Sequence, residues 1–351
     1  MSDLAFGVLA TLVKLLVIVN VLLGSVSIMT WIERRVCGLI QDRWGPNRVG
    51  PLGLFQPFAD GVKFLMKEDI MPLDAYKPAY VLAPAMGLVA ALCSFAVIPF
   101  GPTIEAFGRK IPLVIVDLDG GILFAFAAAS LGVYGIVMAG WSSRSKYSLM
   151  GGLRSSAQMI SYELAMGLSV VGVLLVAGTL RPSTIVEQQS GWFWNWNAFA
   201  GGWQLLGFLI FVVAGFAETN RLPFDLPEAE AELVAGYHTE YSSMKFAMFM
   251  MAEYINMMTS SGLAVTLFLG GWQLGFPVPF TGWTLWILQI LAFVAKVAFF
   301  QFVFVWVRWT LPRFRYDQLM SLGWKSLLPL SLANVMLSAV LVAFDLVRRR
   351  S

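Results

Sequence analysis

Apolar residues run along this chain in long blocks, separated by shorter polar stretches. A membrane span needs about 20 mostly apolar residues to cross roughly 30 Å of hydrocarbon. Eight blocks are long enough, at about 4–30, 79–99, 117–140, 160–180, 198–217, 244–270, 283–307 and 327–347. The fifth is the weakest because it contains Gly201, Gly202 and Gly207. Glycine is tolerated in spans where neighbouring helices protect the backbone. Leu52–Asp69 has a different pattern. Leu54, Phe58, Val62 and Leu65 repeat at helical spacing, with Gln56, Asp60, Lys63 and Lys67 on the opposite face. This segment is too short and too charged to span, so it predicts an amphipathic helix lying in the interface. No internal repeat or low-complexity linker divides residues 1–351. The pattern predicts one all-α integral membrane domain with about eight transmembrane helices plus short amphipathic helices.

Composition agrees. The chain is 58% hydrophobic and 13% charged, with a mean hydropathy of +0.73, where a soluble domain is about one-quarter charged. A net charge of +3 argues against a nucleic-acid partner. Two cysteines, Cys37 and Cys93, and one histidine, His238, cannot build an iron–sulfur cluster or a four-ligand zinc site. There is no Cys-x-x-Cys, His-Glu-x-x-His, Walker lysine loop or G-x-G-x-x-G. The chain is therefore expected to carry no metal and no redox cofactor of its own. The N-terminus lacks a basic n-region and a small-residue cleavage site, and reads as a retained span.

Lys and Arg set the orientation. Loops 31–78, 141–159, 218–243 and 308–326 hold 15 of them, and the alternate loops hold 3. The first set is expected in the cytoplasm, and both termini on the outer, periplasmic side of a bacterial-type inner membrane. Arg348, Arg349 and Arg350 run against this, but a short tail weighs less than the loops. Trp192, Trp194, Trp196 and Trp203 then fall at the outer interface, where aromatic belts occur.

The cytoplasmic loops hold most of the candidate chemistry. Glu218–Tyr241 contains six carboxylates, Glu218, Asp225, Glu228, Glu230, Glu232 and Glu240, and one cation, Arg221. Asp225-Leu-Pro-Glu228 reads as a capped helix start. A solvated helix would explain it, but Leu222, Pro223, Phe224 and Leu226 suggest a loop folded against protein. Carboxylates crowded in a low-dielectric place repel, and some then hold protons near neutral pH. Glu33 at the end of the first span precedes Arg34 and Arg35. This could be a snorkelling pair or a partly buried ion pair. Charges inside spans cost roughly 2.5–3.5 kcal/mol each and mark functional sites by default. Glu163, Glu253 and Lys296 are of this kind; Lys245 can snorkel, Asp117 and Asp119 can be wet, and Lys14 sits in a span that can face lipid. With the acidic loop, these residues outline a polar path into the bilayer, as in proton pumps.

WIERR, GPNRVGPLGLFQPFADGVK, ISYELAMG, AETNRLPFDLPEAEAELVAGYHTEYSSMKFA, AEY and PRFRYDQLM resemble the H-type membrane subunit (subunit 1) of respiratory NADH:quinone oxidoreductase, complex I, from about Trp31 to Trp324. The resemblance implies a quinone chamber lined by Glu33, Arg34, Arg35, Trp44, Asp60, Arg221, Phe224, Asp225 and Glu228. It implies a proton path through Glu218, Glu228, Glu230, Glu232, Glu163 and Glu253, joined by Lys296. Quinone would be the substrate. FMN and iron–sulfur clusters would sit in partner subunits, including peripheral-arm subunits that carry the terminal cluster. Antiporter-like and small membrane subunits would be neighbours in the bilayer. A hydrogenase-type membrane anchor shares this ancestry and is the rival reading, with a stand-alone transporter further off.

Overall fold

The computed structural model describes residues 3–106, 109–199, 202–225, 234–279 and 282–344. Its helices are α1 (Asp3–Ile40), α2 (Gln56–Met66), α3 (Lys77–Phe95), α4 (Gly121–Ser142), α5 (Lys146–Ala177), α6 (Pro182–Gln188), α7 (Gln204–Glu218), α8 (Ser243–Phe268), α9 (Trp283–Thr310), α10 (Tyr316–Ser321) and α11 (Leu328–Ala343). A π-helical turn, Leu322–Leu327, joins α10 to α11. The one pair of strands among the described residues, β1 (Ile104–Ala106) and β2 (Arg109–Ile111), is antiparallel, with Glu105 opposite Lys110. The chain is thus an all-α membrane protein, with one short strand pair among the described residues.

Among the described residues, six helical stretches are long and apolar enough to cross a membrane: α1 from Gly7, α3, α4, α5, α9 and the continuous Tyr316–Ala343. Helix α7 is apolar but has only 15 residues, because Gly202, at φ +82°, ends the regular path before it. Helix α8 has 26 residues and is buried on every side from Met257 to Phe268. A helix buried all round belongs at the centre of a bundle. The hydroxyls of Thr259, Ser261 and Thr266 donate to their own helix's carbonyls one turn back, at 3.0, 2.8 and 2.7 Å. This satisfies them where no water is at hand.

Several loops expected from hydropathy are helical. Helix α1 continues through Trp31–Ile40, because no proline or glycine pair interrupts it until Gly45-Pro46. Helix α5 begins at Lys146, so most of 141–159 is helix. Its Gly151 and Gly152 weaken a hydropathy signal, yet they make this packing possible. A Cβ on Gly151 would lie 2.7 Å from Gly236 Cα, and one on Gly152 would lie 3.3 Å from Gly140 Cα. Small residues let helices approach closely inside a membrane. In 308–326, proline at 312 ends α9, and helix resumes at Tyr316 with Gln318 Oε1 accepting from the Arg315 N–H at 3.2 Å.

Candidate functional site

The amphipathic segment forms α2, as its period predicts, but its apolar side faces outward. Phe58 is 75% exposed and Leu65 is 67% exposed. Arg34 Nη1 reaches Asp60 Oδ2 at 2.5 Å and ties α2 to the end of α1. Partial burial alone would push the Asp60 carboxyl up; the Arg34 guanidinium, with Gln56 and Lys63, outweighs it and holds the carboxyl below its usual range. The chain then returns through Trp44-Gly45-Pro46 against α1, where a Cβ on Gly45 would come 3.0 Å from Arg35 Cα.

These elements, with α8 and the end of α9, enclose a cavity of about 840 Å3. That is the size range of small-molecule sites. One wall is apolar, with Leu23 and Val26 from α1 and Met244, Met250 and Met251 from α8. Elsewhere the lining is polar: Glu33 and Arg34 on α1, Arg43 after it, Asp60 on α2, Arg221 in the loop after α7, Glu253 and Tyr254 on α8, and Arg308 on α9.

Glu33, 6% exposed, is the centre of this charge. Its carboxylate accepts from Arg221 Nη1 at 3.2 and 3.4 Å, from the Tyr254 hydroxyl at 2.6 Å, and from Arg308 Nη1. Arg221 in turn brings Nε to 2.5 Å from Glu253 Oε1, and its guanidinium lies 4.5 Å over the Tyr254 ring. Burial opposes the Arg221 charge; Glu253, Glu33 and Tyr254 outweigh it and hold the guanidinium well above its ordinary value. Buried charges persist only when paired and hydrogen-bonded in this way. Gln158 on α5, fully buried, fixes the loop by donating to the carbonyls of Ala217 and Phe224, each at 2.8 Å.

Glu253 has a second face. It lines a cavity of about 40 Å3 together with Glu218, Thr219, Asn220 and Asn256. Glu218 also lines a cavity of about 20 Å3 with Asn256, Thr259 and Ser260. Glu163 on α5 accepts a hydrogen bond from Ser130 on α4 and acts electrostatically on Glu218. Glu33, Glu253, Glu218 and Glu163 therefore form a series from the large cavity into the bundle.

The residues expected at the chamber divide. Glu33, Arg34, Trp44, Asp60 and Arg221 line the large cavity. Arg35 does not; it donates to the Leu52 carbonyl at 2.9 Å, lies 5.5 Å over Trp31, and holds the 46–53 loop on α1. Phe224 is buried between Tyr162 and Phe314. Asp225 pairs with Arg313 at 3.0 Å. Glu228, Glu230 and Glu232, with the cap expected there, lie outside the described residues.

Lys296 is not among the carboxylates. Its Nζ donates to the carbonyls of Leu269, Gly271 and Gln273 at 2.7, 3.0 and 2.7 Å, and lies 4.1 Å over the Trp196 ring. Leu269 follows Glu253 by 16 residues, or about 24 Å along a helix. Sequence reasoning gave no role to Tyr254, Arg308, Ser130, Asn256 or Gln158. Tyr254 stands beside Glu253, and Arg308 is a charge closing an apolar run; those are the signals present in the sequence.

Comparisons with known proteins match these motifs and this architecture. A profile of the NADH dehydrogenase family fits residues 13–339. The NADH-quinone oxidoreductase H-subunit 2 of Koribacter versatilis is 53% identical, over 98% of this chain and 99% of the relative. NADH-quinone oxidoreductase subunit 8 of Rhodothermus marinus is 53% identical over 93% and 95%, and the H-subunit of Salinibacter ruber is 51% identical over 92% and 93%. These relatives carry the names of quinone-reductase subunits, not of hydrogenase anchors or lone transporters. The chain belongs to the NADH dehydrogenase family, as an H-type membrane subunit of NADH-quinone oxidoreductase.

Proposed function

We propose that the large cavity is the quinone chamber of the complex, completed by peripheral-arm subunits, and that the internal carboxylates couple quinone reduction to proton translocation. The observation that carries this reading is the position of Glu253, which faces both the large cavity and the small polar one beside Glu218. One carboxylate thus touches the substrate space and the acids inside the bundle.

Quinone enters from the bilayer past α2, whose outward apolar side suits a lipid surface. The Met-lined wall adapts to an apolar tail, while the Glu33 cluster offers a polar end for the headgroup. Two electrons from a partner's terminal iron–sulfur cluster and two protons convert quinone to quinol. The iron–sulfur clusters and FMN belong to partner subunits. Charge appearing in the cavity alters the Glu33–Arg221–Glu253 balance, and Glu253 passes the change to Glu218 and Glu163. Moving one charge against 100 mV costs about 2.3 kcal/mol, so quinone chemistry must drive the series. The acidic loop lies on the cytoplasmic side, about eight helices span the bilayer, and both termini are outside. Antiporter-like subunits receive the change.

Glu163→Gln and Glu228→Gln test this in the assembled complex. Each is expected to leave assembly intact and lower coupled quinone reduction. Wild-type turnover and pumping in both would remove the coupling role.

A further inference from the structure

Two residues, Glu218 and Asn256, line both small internal cavities. Those cavities measure about 40 and 20 Å3, and a buried water needs roughly 10–15 Å3 of such space and two to four polar partners. The first has room for two or three waters among Glu253, Glu218, Thr219 and Asn220. The second has room for one, among Glu218, Thr259 and Ser260.

Asn256 stands on α8 one turn after Glu253 and one turn before Thr259 and Ser260, so all four share a face. Thr259 spends its hydroxyl proton on the Ile255 carbonyl. Asn256 makes no hydrogen bond to the described residues, although it is half-buried in the central helix. Its amide brings two donors and an acceptor to a place with water-sized space on both sides. An amide does not ionise near neutral pH, so it holds water and does not itself carry the proton.

We propose that Asn256 is a positioning residue for proton movement, ordering the waters on both sides of Glu218. This rests on the proposed carboxylate path. In the step it serves, the O–H bond of protonated Glu218 breaks, an O–H bond forms on the Glu253 carboxylate, and the water between them gives up one proton as it gains another. Atoms and charge balance without another reagent.

The test is Asn256→Leu in the assembled complex in native membranes. Leucine keeps the bulk and removes every donor and acceptor. The expected result is a fall in turnover on the order of tenfold, below the roughly 100- to 10,000-fold effect of a group that itself transfers the proton. The KM for quinone stays unchanged, and the solvent deuterium isotope effect on turnover rises. Asn256→Ser, which returns a hydroxyl and room for one more water, restores most of the rate. If the leucine variant does not assemble, Asn256→Ala is read by the same KM and isotope criteria. A slow variant with an unchanged isotope effect and no rescue by serine means packing only and overturns the proposal. Glu218→Gln is measured beside it. Slow Glu218→Gln with wild-type Asn256→Leu overturns the role of Asn256 alone, whereas wild-type rates in both overturn the carboxylate path itself.

Discussion

The first half of α8 and its C-terminal end treat buried charge in opposite ways. At the C-terminal end Lys296 is held by three backbone carbonyls and the face of Trp196. Its partners are fixed by the fold and cannot titrate: they are the carbonyls of Leu269, the residue that caps α8, and of Gly271 and Gln273 in the loop that follows, where a cation is favoured by the helix dipole. Along the first half Glu33, Arg221, Glu253 and Arg308 share charge among side chains beside a large cavity. Glu33 and Arg221 each have two partners of opposite charge. A charge in the first setting maintains the structure. A charge in the second can be redistributed when something enters the cavity. The same sequence signal, an ionisable residue in an apolar run, has two physical meanings.

The largest effect expected from breaking this contrast is at Arg221. Arg221→Met leaves Glu33 with Arg308 and the Tyr254 hydroxyl, and leaves Glu253 without the guanidinium. Removing one partner of a buried pair costs about 3–5 kcal/mol, and the expected result is loss of assembled complex on a native gel. Lys296→Met comes next. It orphans carbonyls at a cost of roughly 1–3 kcal/mol each, less where water enters. The melting temperature of the complex should fall, while the pH dependence of turnover in surviving complex should match wild type. A changed pH profile would move Lys296 into the coupling path and erase the contrast.

The smallest effect is at His238, in the loop packed over the Glu253 end. Burial pushes its pKa from 6.5 down to about 4. Below pH 6.5 the unfolded chain takes up a proton that the folded chain refuses, so stability falls as pH drops from about 6.5 toward 4. Its ring packs edge-on against Tyr237 and Phe246. His238→Phe should flatten that part of the thermal-stability curve against pH and leave turnover at neutral pH unchanged.

Much of the scaffold could be read from residue periodicity. A helix lies in every long apolar block, and Phe58, Val62 and Leu65 of the predicted stripe repeat along α2, with Leu54 in the turn before it. The helical extension at 146–159 could not be read, because Gly151 and Gly152 act through partners on other elements, which no local pattern records. The site was half legible. Glu33, Arg221, Glu253 and Glu163 stand out as charges in or beside apolar surroundings. The partners that decide their roles come from distant segments: Arg308 reaches Glu33 across 275 positions. An arginine closing an apolar run reads equally well as one that snorkels to the headgroups. Phe224 and Asp225 lie close to Arg221 in sequence, yet they turn to the α5 and Arg313 side, a choice made by tertiary packing.

The central claim is that Glu253 connects the large cavity to the internal acids. The most direct measurement is proton translocation and quinone reduction together, in proteoliposomes of the complex carrying Glu253→Gln. The expected result is that both rates fall in parallel while the complex assembles and its NADH-oxidising activity toward an artificial acceptor is retained. Wild-type quinone reduction with wild-type pumping would contradict the claim.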